Sequence, residues 1–410
     1  MNWKRSLIHA CLAQCCGVLC LVGIRNLGLP FFMKAIGFTD SKTMMCMSFL
    51  SLGCVFQLIL SLFASGYNIK KLLIGNYIVG HVILGALCGG YLFFGLDKST
   101  VLIGTFAYFI FTALGDTFWW PFIHPQIPGN FVASFFTRLR ITWATFSFIG
   151  VIILKRIVNS LNLPTEFALF IFLIGFLGLS RVLFLFPLNP PAETLHDEKI
   201  RINKIWDMIK KIKAISGINF IFFFVVFEPL FLGSIPVLFL NDLGVPKGDN
   251  FLVQAVGLLS TVVSLLYVNN TLRKVEEKKL IRLLRYPLIF LIICLPLISL
   301  IEDIDLIVAS VILIKFLAGI ILAGIHLIYI NRLFKHVDKK NRTFSMGLIN
   351  VAIFGTFFIS EFTFSILLRF TGSNLMTQNK YIIPFMIYAV ASLVIIRKLE
   401  LNSKQRSAVS

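Results

Sequence analysis

Apolar runs of about twenty residues, each closed by a short polar break, follow one another along the whole chain. A helix needs about 20 apolar residues to cross the hydrocarbon core of a bilayer. Runs over 7–35, 42–64, 73–95, 100–124, 141–158 and 166–187 meet that requirement. After a polar stretch, six more cover 217–240, 250–268, 284–301, 306–330, 344–368 and 381–396. The pattern predicts an all-α polytopic membrane protein with twelve transmembrane helices. It divides the chain into an N-terminal six-helix half (1–187), a linker (188–216), a C-terminal six-helix half (217–397) and a tail (398–410).

The breaks carry a second pattern. In Ile24-Arg-Asn-Leu-Gly-Leu-Pro-Phe-Phe-Met-Lys-Ala-Ile-Gly-Phe-Thr-Asp40, an apolar run is interrupted by Pro30 and turned at Gly37 before the next run begins. Leu232-Gly-Ser-Ile-Pro-Val-Leu-Phe-Leu-Asn-Asp-Leu-Gly-Val-Pro-Lys247 does the same, with Pro236 answering Pro30 and Gly244 answering Gly37. A hairpin copied at about half the chain length predicts one bundle built twice, its halves superposing as parallel repeats.

Composition agrees with membrane burial. Of 410 residues, 58% are hydrophobic and 14% charged, too little polar surface for a soluble protein of this length. Mean hydropathy is +0.89. The net charge of +19 would suit nucleic acid if it were gathered on one soluble domain, but the basic residues lie in short segments between apolar runs, where Lys and Arg set membrane orientation. Most of them fall in the tail, the linker and alternate breaks, on the side that also holds Lys4 and Arg5. Both termini are therefore expected in the cytoplasm, and the chain in the inner (plasma) membrane of a bacterium. The run after Met1 outlasts a signal-peptide core and has no small-residue cleavage site, so it reads as an uncleaved first span.

In the linker, Ile202, Ile205, Trp206, Ile209 and Ile212 fall at helical spacing among Lys204, Lys210, Lys211 and Lys213. This predicts a basic amphipathic helix on membrane lipids. The eight Cys all sit within apolar runs, where no disulfide framework is expected. The cluster Cys11, Cys15, Cys16 and Cys20 reads as small apolar packing rather than a metal or redox site.

Six plus six spans with internal termini, a cytoplasmic amphipathic linker and a basic turn after the second span of each half resemble the major facilitator superfamily. The resemblance covers nearly the whole chain and is one of architecture more than of motif. The family's signature turn between spans two and three is matched by Gly66 with Lys70 and Lys71 in Ser65-Gly-Tyr-Asn-Ile-Lys-Lys-Leu72, and its acidic residue and second Gly are absent. The counterpart in the second half is Asn269 to Lys279, and Arg138-Leu-Arg140 resembles the basic loop before span five. The resemblance implies a secondary active transporter moving a small organic solute by alternating access, as a monomer, with Gly66, Lys70 and Lys71 as its gating loop.

Ionisable groups inside a span are costly, so each is a functional-site candidate with a partner. These are Arg25, Asp116, Arg181, Glu228, Lys315 and Glu361, with Asn26, Gln57 and Asn350 as polar neighbours. Glu228 lies near mid-span before Pro229, which frees a backbone carbonyl. Depth pairs Arg25 with Glu228, Lys315 with Glu361 and Asp116 with Arg181. Glu228 is the expected proton-coupling group, and Arg25 either attracts an anionic solute or holds Glu228. Structural ion pairs are the competing reading for the other two. His81 and His326 are expected to be satisfied by backbone carbonyls, and Trp119-Trp120-Pro121 to anchor the interface. No HExxH, GxSxG or P-loop occurs. Neither enzyme chemistry, a cofactor nor a metal is therefore expected. A membrane-embedded lipid-modifying enzyme, or a non-transporting receptor or scaffold derived from a transporter, remains the alternative.

Overall fold

The computed structural model describes residues 3–63, 67–128, 131–190, 206–207, 210, 230–231, 233–272, 277–334, 342–351, 355–372 and 379–409. Among these, eight helices are long and apolar enough to cross a membrane, and Tyr286–Leu300 and Ile382–Val394 are shorter apolar helices. Gly66, Glu228 and most of the linker lie outside the described residues.

The first span is one column of three parts. Helix α1 (Trp3–Leu21) passes into a π-helical turn (Val22–Gly28) and continues as α2 (Leu29–Ala35). In the turn, Leu29 N–H bonds to the carbonyl of Ile24, five residues back. Pro30 explains the widening: it has no N–H to offer the carbonyl of Asn26, and its ring would crowd that carbonyl in an α-helix. Then come α3 (Asp40–Phe63), α4 (Ile69–Phe94), α5 (Lys98–Ile123), α6 (Val132–Asn159), α7 (Pro164–Leu179) and α8 (Arg181–Leu185). The C-terminal helices are α9 (Ile235–Asp242), α10 (Lys247–Leu272), α11 (Glu277–Leu297), α12 (Ile304–Phe334), α13 (Arg342–Asn350), α14 (Thr356–Gly372) and α15 (Ile382–Val409).

Polar residues between the runs start the helices. The Asn68 side chain accepts the Lys71 N–H ahead of α4, Asp97 accepts the Ser99 N–H ahead of α5, and Glu166 reaches back to the N–H groups of Asn162 and Leu163 ahead of α7. Each satisfies donors that a helix N-terminus would leave orphaned.

The repeated hairpin keeps its proline and its glycine turn in both places. Pro30 and Pro236 each sit in the first turn of a short helix, α2 and α9. Gly37 and Gly244 follow them with φ of 81° and 79°. A side chain at such a φ costs roughly 1–2 kcal/mol. Gly37→Ala and Gly244→Ala are each expected to lower the melting temperature of the purified protein. Gly75→Ala, a helical site with open space around it, should leave the melting temperature unchanged or raise it. Equal effects at Gly37 and Gly75 would show that the turn geometry contributes nothing.

The apolar core divides along the chain. One buried cluster is built from C-terminal residues, including Leu238, Ile292, Phe364 and Phe385, and is joined by Met44. Two others are mainly N-terminal, one around Phe31, Phe109 and Phe167 and one around Tyr77, Phe118 and Phe135. Across the division α3 packs on α13 and α14, and α6 on α10. On the α3–α14 seam, Ser41 and Ser365 each donate their hydroxyl to the other's backbone carbonyl, at 2.8 and 2.7 Å. Small hydroxyl residues let membrane helices approach closely and bond across the seam.

Candidate functional site

A cavity of about 310 Å³ lies where the N-terminal and C-terminal helices meet. Among the described residues its charged lining is Arg25, Asp116, Arg181 and Glu361. The π-turn sets Arg25 against α3 and α14. Its Nη2 pairs with Glu361 Oε1 at 2.6 Å, and the guanidinium also reaches the Met47 carbonyl and Ser51 Oγ at 3.4 Å each. Ser51 Oγ donates to the other Glu361 oxygen at 3.1 Å. Glu361 is 1% exposed, and Arg25 and Ser51 give each of its oxygens a partner from the N-terminal helices. The Arg25 carbonyl, freed by the π geometry, accepts from Ser234 Oγ at 3.3 Å.

This revises the pairing of Lys315 with Glu361 expected from depth, while the expected pair of Arg25 with Glu228 lies outside the described residues. Arg25 binds Glu361, and Lys315 instead donates to Gln254 Oε1 at 2.6 Å within the C-terminal helices. Lys315 does not line the cavity. The expected pair of Asp116 and Arg181 is present but loose, at 3.7 Å, with Tyr77 between them. The Tyr77 hydroxyl donates to Asp116 Oδ1 at 2.5 Å and accepts from Arg181 Nη2 at 2.8 Å.

The polar neighbours also meet across the division. Asn350 Nδ2 donates to Gln57 Oε1 at 2.9 Å, and Gln57 Nε2 donates to the Ala113 carbonyl. Asn26 lies in the π-turn beside Arg25. The His81 ring meets the Tyr77 carbonyl through Nδ1 at 2.8 Å, as expected of it. Trp119 is not an interface anchor: it is 2% exposed and lines the cavity with Trp120. Of the expected gating loop, Lys70 donates to the Phe186 carbonyl at 2.8 Å and to Asn189 Oδ1 at 2.9 Å, tying α4 to the chain after α8. Lys71 begins α4 through its N–H bond to Asn68.

A second cluster closes the end of the bundle that carries the two glycine turns. Lys34 and Lys380 each pair with both Asp40 and Asp242. Lys34 and Asp40 come from the first hairpin, Asp242 from its repeat, and Lys380 from the turn before α15. Beside them Lys155 pairs with Asp249 at 2.8 Å, and Asn159 Oδ1 accepts the Gly248 N–H at 2.7 Å. None of the four residues of the cluster stood out as a site candidate in the sequence, because charges at span ends are ordinary.

Residues 127–361 match the model of the Major Facilitator Superfamily. The chain belongs to this superfamily. As a major facilitator it is a multi-pass membrane protein and a transporter, with a small molecule as its cargo. Solved transporters share its fold: a variant of the nucleoside transporter NupG (TM-score 0.70, 13% identity, 96% of this chain and 98% of that one), and the E. coli xylose transporter XylE in a partially occluded inward-open conformation (TM-score 0.69, 10% identity, 96% and 97%). A POT family transporter in complex with a thioalcohol-conjugated peptide is similar as well (TM-score 0.64, 14% identity, 96% and 95%). Comparison of the sequence with curated proteins gives no match.

Proposed function

We propose that this facilitator is a proton-coupled secondary transporter of a small organic solute, working by alternating access between an N-terminal half (1–187) and a C-terminal half (217–397). The observation that carries the reading is the ion pair of Arg25 with Glu361, which ties the first span to α14 inside the cavity. A buried carboxylate is tolerated in a membrane when it is paired, wet or protonated. Pairing holds the two sets of helices together. Protonation of Glu361 removes the charge that holds Arg25, and the helices can then part. The coupling role assigned from sequence to Glu228 passes in this reading to Glu361.

The expected setting is a monomer in a bacterial inner membrane with both termini cytoplasmic. The test is flux. Purified protein in proteoliposomes should accumulate a labelled solute from a metabolite panel under an inward proton gradient, and collapsing the gradient should abolish accumulation. Glu361→Gln should still exchange that solute across the membrane yet fail to concentrate it. No flux of any panel member under any gradient would favour a receptor or a lipid-modifying enzyme instead. Full uphill uptake by Glu361→Gln would leave the transporter reading intact and remove Glu361 from coupling.

A further inference from the structure

We propose that Arg181, together with the indole N–H of Trp119, is the receptor for an anionic group on the cargo, and that the cargo is an organic monocarboxylate with an apolar body. This deepens the transporter reading and rests on it.

Among the described residues two arginines line the cavity, and they differ in what already occupies them. Arg25 is filled by Glu361, Ser51 and the Met47 carbonyl. Arg181 is 4% exposed, yet among the described residues its nearest carboxylate stands 3.7 Å away and its Nε has no hydrogen-bond partner. Trp119, 2% exposed, likewise leaves its Nε1 without a partner among the described residues. Both side chains line the cavity, and the Arg181 guanidinium carbon lies 5.8 Å from the Trp119 ring. Buried donors are nearly always satisfied. Two unused N–H groups, one of them on a cation, make a receptor that the two oxygens of a carboxylate would complete.

The guanidinium is held in place for this. Its other face stacks on the Tyr77 ring, 3.7 Å from the centroid, an attraction strengthened by exclusion of water. On the α1 side it fits only because residue 17 is glycine, where a Cβ would come within 2.6 Å of the guanidinium carbon. Tyr77 also takes one Nη2 proton, which fixes the plane of the group and leaves Nε for the ligand.

Charge sets the class of anion. The charged side chains that line the cavity among the described residues sum to zero, with Arg25 and Arg181 against Asp116 and Glu361. A monoanion therefore leaves one excess negative charge among them, and a dianion leaves two, which a low-dielectric cavity disfavours steeply. The rest of the lining, with Leu21, Leu50, Trp120 and Phe357, suits an apolar body. Asp116 is the group that the incoming carboxylate must tolerate, since it shares Arg181 and Tyr77 with it.

The test uses phenylacetate, hexanoate and lactate as probes, each with its neutral amide, on the full-length protein in lipid nanodiscs. Tryptophan fluorescence and thermal shift are the readouts. At least one carboxylate should bind saturably and its amide at least tenfold more weakly. Arg181→Gln should weaken that carboxylate at least tenfold and leave the amide unchanged. Trp119→Phe, which keeps the guanidinium and removes only the N–H, should weaken it severalfold and covers the case in which Arg181→Gln does not fold. Asp116→Asn should tighten it. Equal binding of acid and amide, wild-type affinity in Arg181→Gln or Trp119→Phe, or no saturable carboxylate binding would overturn the proposal. If none of the acids binds while the proteoliposomes carry a neutral or cationic solute, the receptor assignment fails and the transporter reading stands.

Discussion

Glu361→Ala should be among the most destabilising single substitutions in this protein. The carboxylate is 1% exposed and pairs with Arg25 at 2.6 Å. Among the described residues, its removal leaves a guanidinium in the interior with only the Met47 carbonyl and Ser51 Oγ, both at 3.4 Å. Losing one partner of a buried pair costs on the order of 3–5 kcal/mol, most of it the penalty of the charge left behind. Arg25→Ala should cost a similar amount, because among the described residues Glu361 would keep only its bond from Ser51. The double substitution should be milder than either single one, since no bare charge remains. Reversible denaturation of the four proteins in a double-mutant cycle measures this coupling, and additive losses would rule out an energetic pair. A cycle on Lys315 and Glu361 should by contrast be additive, because Lys315 bonds to Gln254 instead.

Lys380→Ala should open the end of the bundle that carries the glycine turns. Asp40 and Asp242 are both nearly buried and share two ammonium groups, Lys34 and Lys380. With Lys380 gone, two carboxylates face each other with one cation between them, and like charges in a desolvated site repel strongly. Separation of the N-terminal and C-terminal helices at this end relieves the repulsion by letting water in. A destabilisation of the closed arrangement by about 3 kcal/mol corresponds to a shift of roughly 100-fold in population. Spin labels at Ser99, exposed at the start of α5, and at Glu302, exposed in the α11–α12 connection, would report it as a longer distance. The triple change of Lys380, Asp40 and Asp242 to neutral residues should shift the distance less than Lys380→Ala. An unchanged distance distribution in Lys380→Ala would show that the ion cluster does not hold this end shut.

Eight of the spans, among the described residues, and the turns of the repeated hairpin were legible because each rests on one-dimensional signals. Runs of apolar residues give length, and a proline followed by a glycine gives a turn, so Pro30 with Gly37 and Pro236 with Gly244 match in the sequence itself. The cavity was only half legible. Burying a charge in a membrane is costly wherever it occurs, which singled out Arg25, Asp116, Lys315 and Glu361 as residues needing partners. Sequence position gives depth along a span but not the direction in which a side chain leaves the helix. Lys315 and Glu361 share a depth and yet face different neighbours. Depth alone could not show that the π-turn aims Arg25 at α14. The cluster of Lys34, Asp40, Asp242 and Lys380 left a fainter trace. Asp40 lies three residues after Gly37 and Asp242 two before Gly244, so acidic residues beside the matched turns were the available signal.

The π-turn also sets the rotational register of the first span. An α-helix places successive residues about 100° apart around its axis, and the extra residue held between Val22 and Gly28 is one such step. Were the bulge to relax into α geometry, everything on one side of it would turn by about that angle relative to the other. Arg25 would leave Glu361 without the helix breaking, and the Arg25 carbonyl that now accepts from Ser234 would return to the helical ladder. Pro30 opposes that relaxation, because its ring would crowd the Asn26 carbonyl, so the proline that widens the first span also fixes which face its cavity-lining cation turns toward Glu361.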